Sequence, residues 1–254
     1  QSKKGNAVIV MDDDIFAMYG AHDYQISINS VIDEVVSKKE DFDLMLFRYG
    51  GAHVKTTNVS KECHCVGVVY TLNDSFYKTG IRMDEGLFDN EDMDCYLQCV
   101  KKKIKIYHSP LFFNHNENVS TSSFSMAWRY MSMLKLYEKW GTATTVFIQD
   151  SLYLPSIYLN AHQITDEVLY SEVSNAGFEL MLQIHEGNED YPELWKECKE
   201  MLERIKDKPV IDHPIRDSYI YGWAQRHFPE RFESELKWFE DNQEKLPPPS
   251  PFVD

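Results

Sequence analysis

Three consecutive carboxylates, Asp12-Asp13-Asp14, follow directly on the apolar run Ala7-Val8-Ile9-Val10-Met11. Carboxylate oxygens are hard ligands of the kind Mg²⁺ or Mn²⁺ takes, and such a cation in turn grips a diphosphate. Without a cation among them, three carboxylates at the end of a buried strand are costly. A second acidic cluster, Asp89-Asn90-Glu91-Asp92-Met93-Asp94, follows Gly86-Leu87-Phe88. Acids in that position stabilise a helix N-terminus with no further role. The same mount also holds a carboxylate firmly enough to serve as general base toward a hydroxyl. The third candidate is His115, in Phe112-Phe113-Asn114-His115-Asn116. Its imidazole is either a hydrogen-bonded structural group or a metal ligand, and His108 competes for the same two roles.

The elements that must position these groups can be read from the hydrophobic pattern. Ala7 to Met11 is a continuous, β-branched run, as expected of a strand covered on both faces. In open α/β sheets ligands bind beyond the C-terminal ends of the strands, which is where the triplet falls. A helix is expected over 26–36, with Ile28, Val31, Ile32 and Val35 on one face. Residues 43–48 read as a strand, Gly50-Gly51 as a turn, and 65–72 as another strand. Asn73 is the expected cap of a short helix over 74–79 that Gly80 ends. A longer helix begins near Glu91, with Met93, Leu97 and Val100 on its apolar face and Lys101-Lys102-Lys103 in its last turn. Residues 104–107 read as a short strand that Pro110 breaks, and 111–114 as another. A helix over 124–140 is closed by Gly141. Beyond it helical patterns dominate, over 166–177, 191–205, 219–228 and 229–242, and the Pro-rich run 246–251 reads as an extended arm. The expected fold class is α/β: a mixed sheet flanked by helices over residues 1–145, then an acidic, mainly helical region over 146–254 with a Pro-rich tail.

Taken in order, these segments resemble the GT-A (Rossmann-like) glycosyltransferases, family 2-like and inverting. Val10-Met11-Asp12-Asp13-Asp14 resembles their DxD segment. Val68 to Gly80 looks like their acceptor-side strand and helix, and Leu87-Phe88-Asp89-Asn90-Glu91-Asp92-Met93-Asp94 is similar to the FxEDxDxxxR signature. Lys103-Ile104-Lys105-Ile106-Tyr107-His108-Ser109-Pro110 matches the strand that follows. His115 falls where the family has its late metal-binding histidine. The stretch Phe124 to Gly141 resembles the next helix. The resemblance covers about residues 5–141. It implies a nucleotide-diphosphate sugar as donor and Mn²⁺ or Mg²⁺ as cofactor. Asp12, Asp13 and Asp14 would form the donor segment; Asp12 and Asp14, with His115, would hold the metal. Asp92 would deprotonate the hydroxyl of a carbohydrate or other acceptor, with Glu91 as second candidate and Asp94 as a support of the helix. Transfer would be of a single sugar, because no QxxRW motif is present; Met126-Ala127-Trp128-Arg129-Tyr130 only echoes it. Gln98 and Cys99 stand where the signature carries Arg. The strands that bind the nucleobase in the family precede the DxD strand, and an upstream segment or a partner chain, in an oligomer for instance, is expected to supply them.

Charge and cysteine content narrow the classes. The 254 residues carry a formal net charge of −15, and 12 of those negative charges fall in 150–254. Such a surface repels phosphate backbones, so no nucleic-acid partner is expected. No apolar run is long enough for a membrane helix. An odd count of five cysteines argues against a disulfide framework and for a cytoplasmic address, with the inner membrane face as an alternative. Cys95 and Cys99, four apart, are expected to face a core. Three rivals remain: a zinc site at Cys63-His64-Cys65 with His53, a hydrolase using Glu91 or Asp92 as acid, and a non-catalytic binding or scaffold protein with a degenerate glycosyltransferase fold.

Overall fold

The computed structural model describes residues 6–11, 15–20, 25–50, 69–87, 89–115, 126–149, 154–159, 164–184, 191–208 and 210. Contacts divide the chain into two units, 1–123 and 124–254. The mixed sheet and its helices make it an α/β protein.

The first unit is built on strands β1 (Val8–Met11), β2 (Ile15–Tyr19), β3 (Leu44–Gly50), β4 (Val69–Leu72) and β5 (Ile106–His115). They form one sheet in the order β1-β4-β3-β5-β2. Only the β3–β5 pair is parallel. Helix α1 (Ile28–Ser37) turns Val31 and Val35 into a core with Phe42, Met45, Phe47 and Phe113. Ile28 and Ile32 share the expected apolar stripe but stay 41% and 42% exposed, because the sheet covers only the flank on which Val31 and Val35 sit one turn apart.

Pro110 does not break its strand. It lies inside the continuous β5, at a bulge where the pairing with β3 slips between Leu46 and Arg48. A bulge is where a sheet tolerates a residue with no N–H to give. The next amide, that of Leu111, donates to Ser109 Oγ at 3.1 Å. Helix α2 (Asp74–Tyr77) is capped by Asn73, whose side-chain oxygen accepts the Asp74 N–H at 2.8 Å. Helix α3 spans Glu91–Lys101.

In the second unit, α4 (Met126–Trp140), α5 (Glu172–Ile184) and α6 (Pro192–Lys206) share one core. Tyr130 and Phe178 meet edge to face at 5.5 Å, and the Tyr130 hydroxyl donates to the Phe178 carbonyl. Tyr137 OH, fully buried, accepts the Ser171 N–H at 2.9 Å. Trp195 belongs to this core, in keeping with the packing role its helical spacing suggests. The helical reading of this region misses a hairpin, β6 (Thr144–Gln149) with β7 (Leu154–Leu159). The β-branched run Thr144-Thr145-Val146 favours a strand, and Gly141 lets the chain turn into it. The expected helices over 219–228 and 229–242 and the Pro-rich arm lie outside the described residues.

Gly141 sits at φ +53°, and a Cβ there would lie 1.8 Å from the Leu169 carbonyl oxygen, the acceptor of the Thr142 N–H. Gly141→Ala is therefore expected to destabilise the protein by about 2 kcal/mol or more. Denaturant unfolding, compared with an exposed control such as Val36→Ala, checks this.

Candidate functional site

Strand direction decides which groups share an end of the sheet. β1 runs antiparallel to β4, and β4 antiparallel to β3, so β1 and β3 point the same way; β5 lies parallel to β3. The C-terminal ends of β1, β3 and β5 therefore face one direction. Met11 is the last residue of β1 and His115 the last of β5. Ile15, which opens β2, is the register partner of His115.

The chain between these points is short. Met11 and Ile15 are on strands at opposite edges of the sheet. In a flat sheet four strand spacings would part them by about 19 Å. Four residue steps reach at most about 14 Å. The sheet must therefore curl toward its C-terminal end. The bulges at Leu46/Arg48 and at Ile15/Ala17 are the places where its strands can bend.

Asp12, Asp13 and Asp14 themselves lie outside the described residues, as do His53, Cys63, His64 and Cys65. For His115 the backbone position is described. His108 is paired with Leu46 in mid-strand, away from the sheet end, which separates the two histidines. Among the described residues no three His, Cys, Asp or Glu side chains are grouped as a metal site.

Helix α3 carries the second acidic cluster in its first turn. The helix ends at Lys101, the only one of the three lysines in its last turn, and the chain passes through Lys103, at φ +54°, to Lys105. There Asp43 Oδ2 accepts the Lys105 N–H at 2.9 Å, and the Lys105 carbonyl accepts the amides of Asp43 and Leu44. Asp43 Oδ1 accepts from Ser75 Oγ, and its carbonyl accepts the Asn73 N–H. These bonds fix the C-terminus of α3 at the starts of β3 and β5. The helix N-terminus, with Glu91 and Asp92 in its first turn, lies about 16 Å away along its axis.

Asp92 and Glu91 are half-buried, and Asp92 Oδ1 accepts the Met93 N–H at 2.8 Å. Asp94 is fully buried, with Oδ2 accepting from Gln98 Nε2 at 2.7 Å, so it supports the helix instead of facing solvent. Cys95 and Cys99 are buried free thiols, as their spacing suggests. The hydrogen bond from Cys95, reinforced by burial, holds the Cys99 thiol well above its ordinary range, which suits packing and not nucleophilic chemistry.

Two clefts fall elsewhere. One of about 430 Å³ is lined by Lys39, Asp43, Asn73, Ser75 and Lys105, at the opposite end of the sheet. Another, in the second unit, is lined by Glu172, Asn175, Glu179 and Lys206. Neither contains a residue singled out from the sequence as catalytic or metal-binding. Compared with protein-family models, curated proteins and solved structures, the chain matches none.

Asn90, which precedes α3, has φ +74°, and its buried Nδ2 has no hydrogen-bond partner. Glycine relieves both features. Asn90→Gly is expected to keep or raise the melting temperature. Asn90→Val, a β-branched residue forced into the left-handed region, should lose about 1–2 kcal/mol. Thermal unfolding of both variants decides.

Proposed function

We propose that residues 1–145 carry a GT-A-type, family 2-like glycosyltransferase that moves a single sugar from a nucleotide-diphosphate donor to an acceptor hydroxyl, with inversion. The observation that carries this reading is the common direction of two strands. β1 leads into Asp12-Asp13-Asp14, and β5, which runs the same way, ends on His115. An antiparallel β4 between two strands of like direction is compatible with the mixed sheet expected of such an enzyme.

The donor set is chemically suited to a divalent cation: carboxylates from one strand end and an imidazole from another. Asp12, Asp14 and His115 would hold Mn²⁺ or Mg²⁺, which when bound supplies Lewis-acid stabilisation of charge on the leaving diphosphate. Asp13 would complete the donor segment. Asp92 takes the proton of the acceptor hydroxyl. The freed oxygen attacks the anomeric carbon from the face opposite the diphosphate, the carbon–diphosphate bond breaks, and its electron pair leaves with the diphosphate. The configuration at that carbon inverts. Glu91, one residue earlier, is the alternative base. Strand β1 has a neighbour on one side only among the described strands, so a nucleobase-binding segment or partner chain has an edge to join.

The test is transfer, or donor hydrolysis, by the purified protein with a panel of nucleotide-sugars and Mn²⁺. Asp92→Asn is expected to lower kcat by about 10²-fold or more while leaving donor affinity near that of the wild type. Asp14→Ala should abolish metal-dependent donor binding, measured by calorimetry. Near wild-type turnover in Asp92→Asn removes the base assignment. Donor binding without turnover in the unaltered protein favours the scaffold reading.

A further inference from the structure

Four side chains spaced one helical turn apart, Asn90, Asp94, Gln98 and Lys102, form a polar stripe along α3 and its two ends. The stripe meets the segment that leads into the helix. Lys102 Nζ donates to the Thr79 carbonyl at 2.6 Å, and Gln98 Nε2 donates to the Arg82 carbonyl at 2.7 Å. The same Gln98 nitrogen donates to Asp94 Oδ2 at 2.7 Å. A carboxamide nitrogen carries two hydrogens, so the two bonds use its whole donor capacity. One acceptor belongs to the incoming segment and the other to the first turn of the helix.

The segment from Arg82 to Gln98 is thereby closed into a ring by one side chain. Within the ring Gly86 and Leu87 form a turn on Asp84, and the Asp94 N–H donates to the Asn90 carbonyl at 3.1 Å. Glu91 and Asp92 lie inside it. Asp92 is separated from Asp94 by Met93 alone, so the fixing of Asp94 also fixes the backbone from which the Asp92 carboxylate projects.

We propose that Gln98 is a positioning residue: it clamps the entry segment to the first turn of α3 and so sets where the Asp92 carboxylate stands. The inference rests on the proposed function for the identity of Asp92 as base, but the clamp itself has a reading independent of activity. Neither the Gln98 amide nor Asp94 touches a substrate in this account. Gln98 acts through the backbone. Its role differs from that of an ordinary core contact because removing its hydrogens while keeping its bulk should misplace one carboxylate and leave donor binding alone.

The experiment compares Gln98→Met, which keeps the side-chain length without a donor, with Gln98→Lys, which returns an N–H donor of similar reach. Hydrogen exchange of the Asp94 amide is expected to accelerate at least tenfold in Gln98→Met and to return to within threefold of wild type in Gln98→Lys, while the Leu97 amide is unchanged. With a donor found, Gln98→Met should lower kcat at least tenfold with donor KM within twofold, and Gln98→Lys should restore kcat. Unchanged Asp94 exchange in Gln98→Met overturns the clamp. Normal exchange in Gln98→Lys without recovered kcat, or a loss confined to KM, overturns the positioning role. A wild-type chain that transfers no sugar from any donor removes the proposed function, and the exchange arm then decides the clamp by itself. If Gln98→Met fails to fold, the paired variant Asp94→Asn, which keeps the volume and weakens the same bond, must show the exchange effect or the clamp is lost.

Discussion

Two strands on opposite edges of the five-stranded sheet are joined by a link of three residues, and that link is Asp12-Asp13-Asp14. A chain this short cannot cross a flat sheet, so the strands must bend around it. The bulge at Pro110 and the slip between Ile15 and Ala17 are the irregularities at which these strands can bend. Ile15, at the start of β2, is paired with His115, at the end of β5. The proposed donor site depends on this constraint more than on any single side chain.

Two sets of acids in this unit differ in character. At the end where β3 and β5 begin, Asp43 accepts hydrogen bonds from Lys105 and Ser75, and Asn73 ties α2 to the carbonyls of Lys39 and Phe42. The acid there is consumed in holding three chain segments together. The acids on α3 are mounted instead at a helix N-terminus, where the backbone dipole stabilises negative charge. A helix anchored at its C-terminus by the Asp43 network and laced along its side by Gln98 and Lys102 is a stiff mount for a base. In the proposed mechanism the order needed for proton transfer is supplied before the acceptor arrives.

Much of the sheet is legible in the sequence because its strands are short, apolar and punctuated. Ala7–Met11 and 43–48 fall on observed strands, and Asn73 caps α2 as its type and place suggest, but β1 is an edge strand of the described sheet, with Val8 and Met11 exposed, and not the strand covered on both faces that its apolar run suggests. Pro110 misleads, because local rules cannot see a bulge that depends on the partner strand. The β6–β7 hairpin is missed for a related reason: a cross-strand pairing leaves no helical period, and the surrounding helices dominate the pattern. Glu91, Asp92 and Asp94 stand out by type and spacing, and the structure places them on the first turn of α3; their chemical roles belong to the proposal. The bond that ties Asp94 to Gln98 also obeys a visible four-residue spacing, but the third partner, the Arg82 carbonyl, is a backbone group and has no signature in the sequence.

The proposed function requires one cation site beyond the C-terminal ends of β1 and β5, with the N-terminus of α3 within reach of it. A Mn²⁺ titration of the isotopically labelled protein, with a nucleoside diphosphate present, reads this directly through paramagnetic broadening of backbone amides. The account predicts that signals of Met11, Ile15, His115 and Glu91 broaden together at the lowest Mn²⁺ concentrations, while those of Asp43 and Lys105 at the opposite end persist. Early broadening at Asp43 and Lys105, with Ile15 and His115 left sharp, would contradict it.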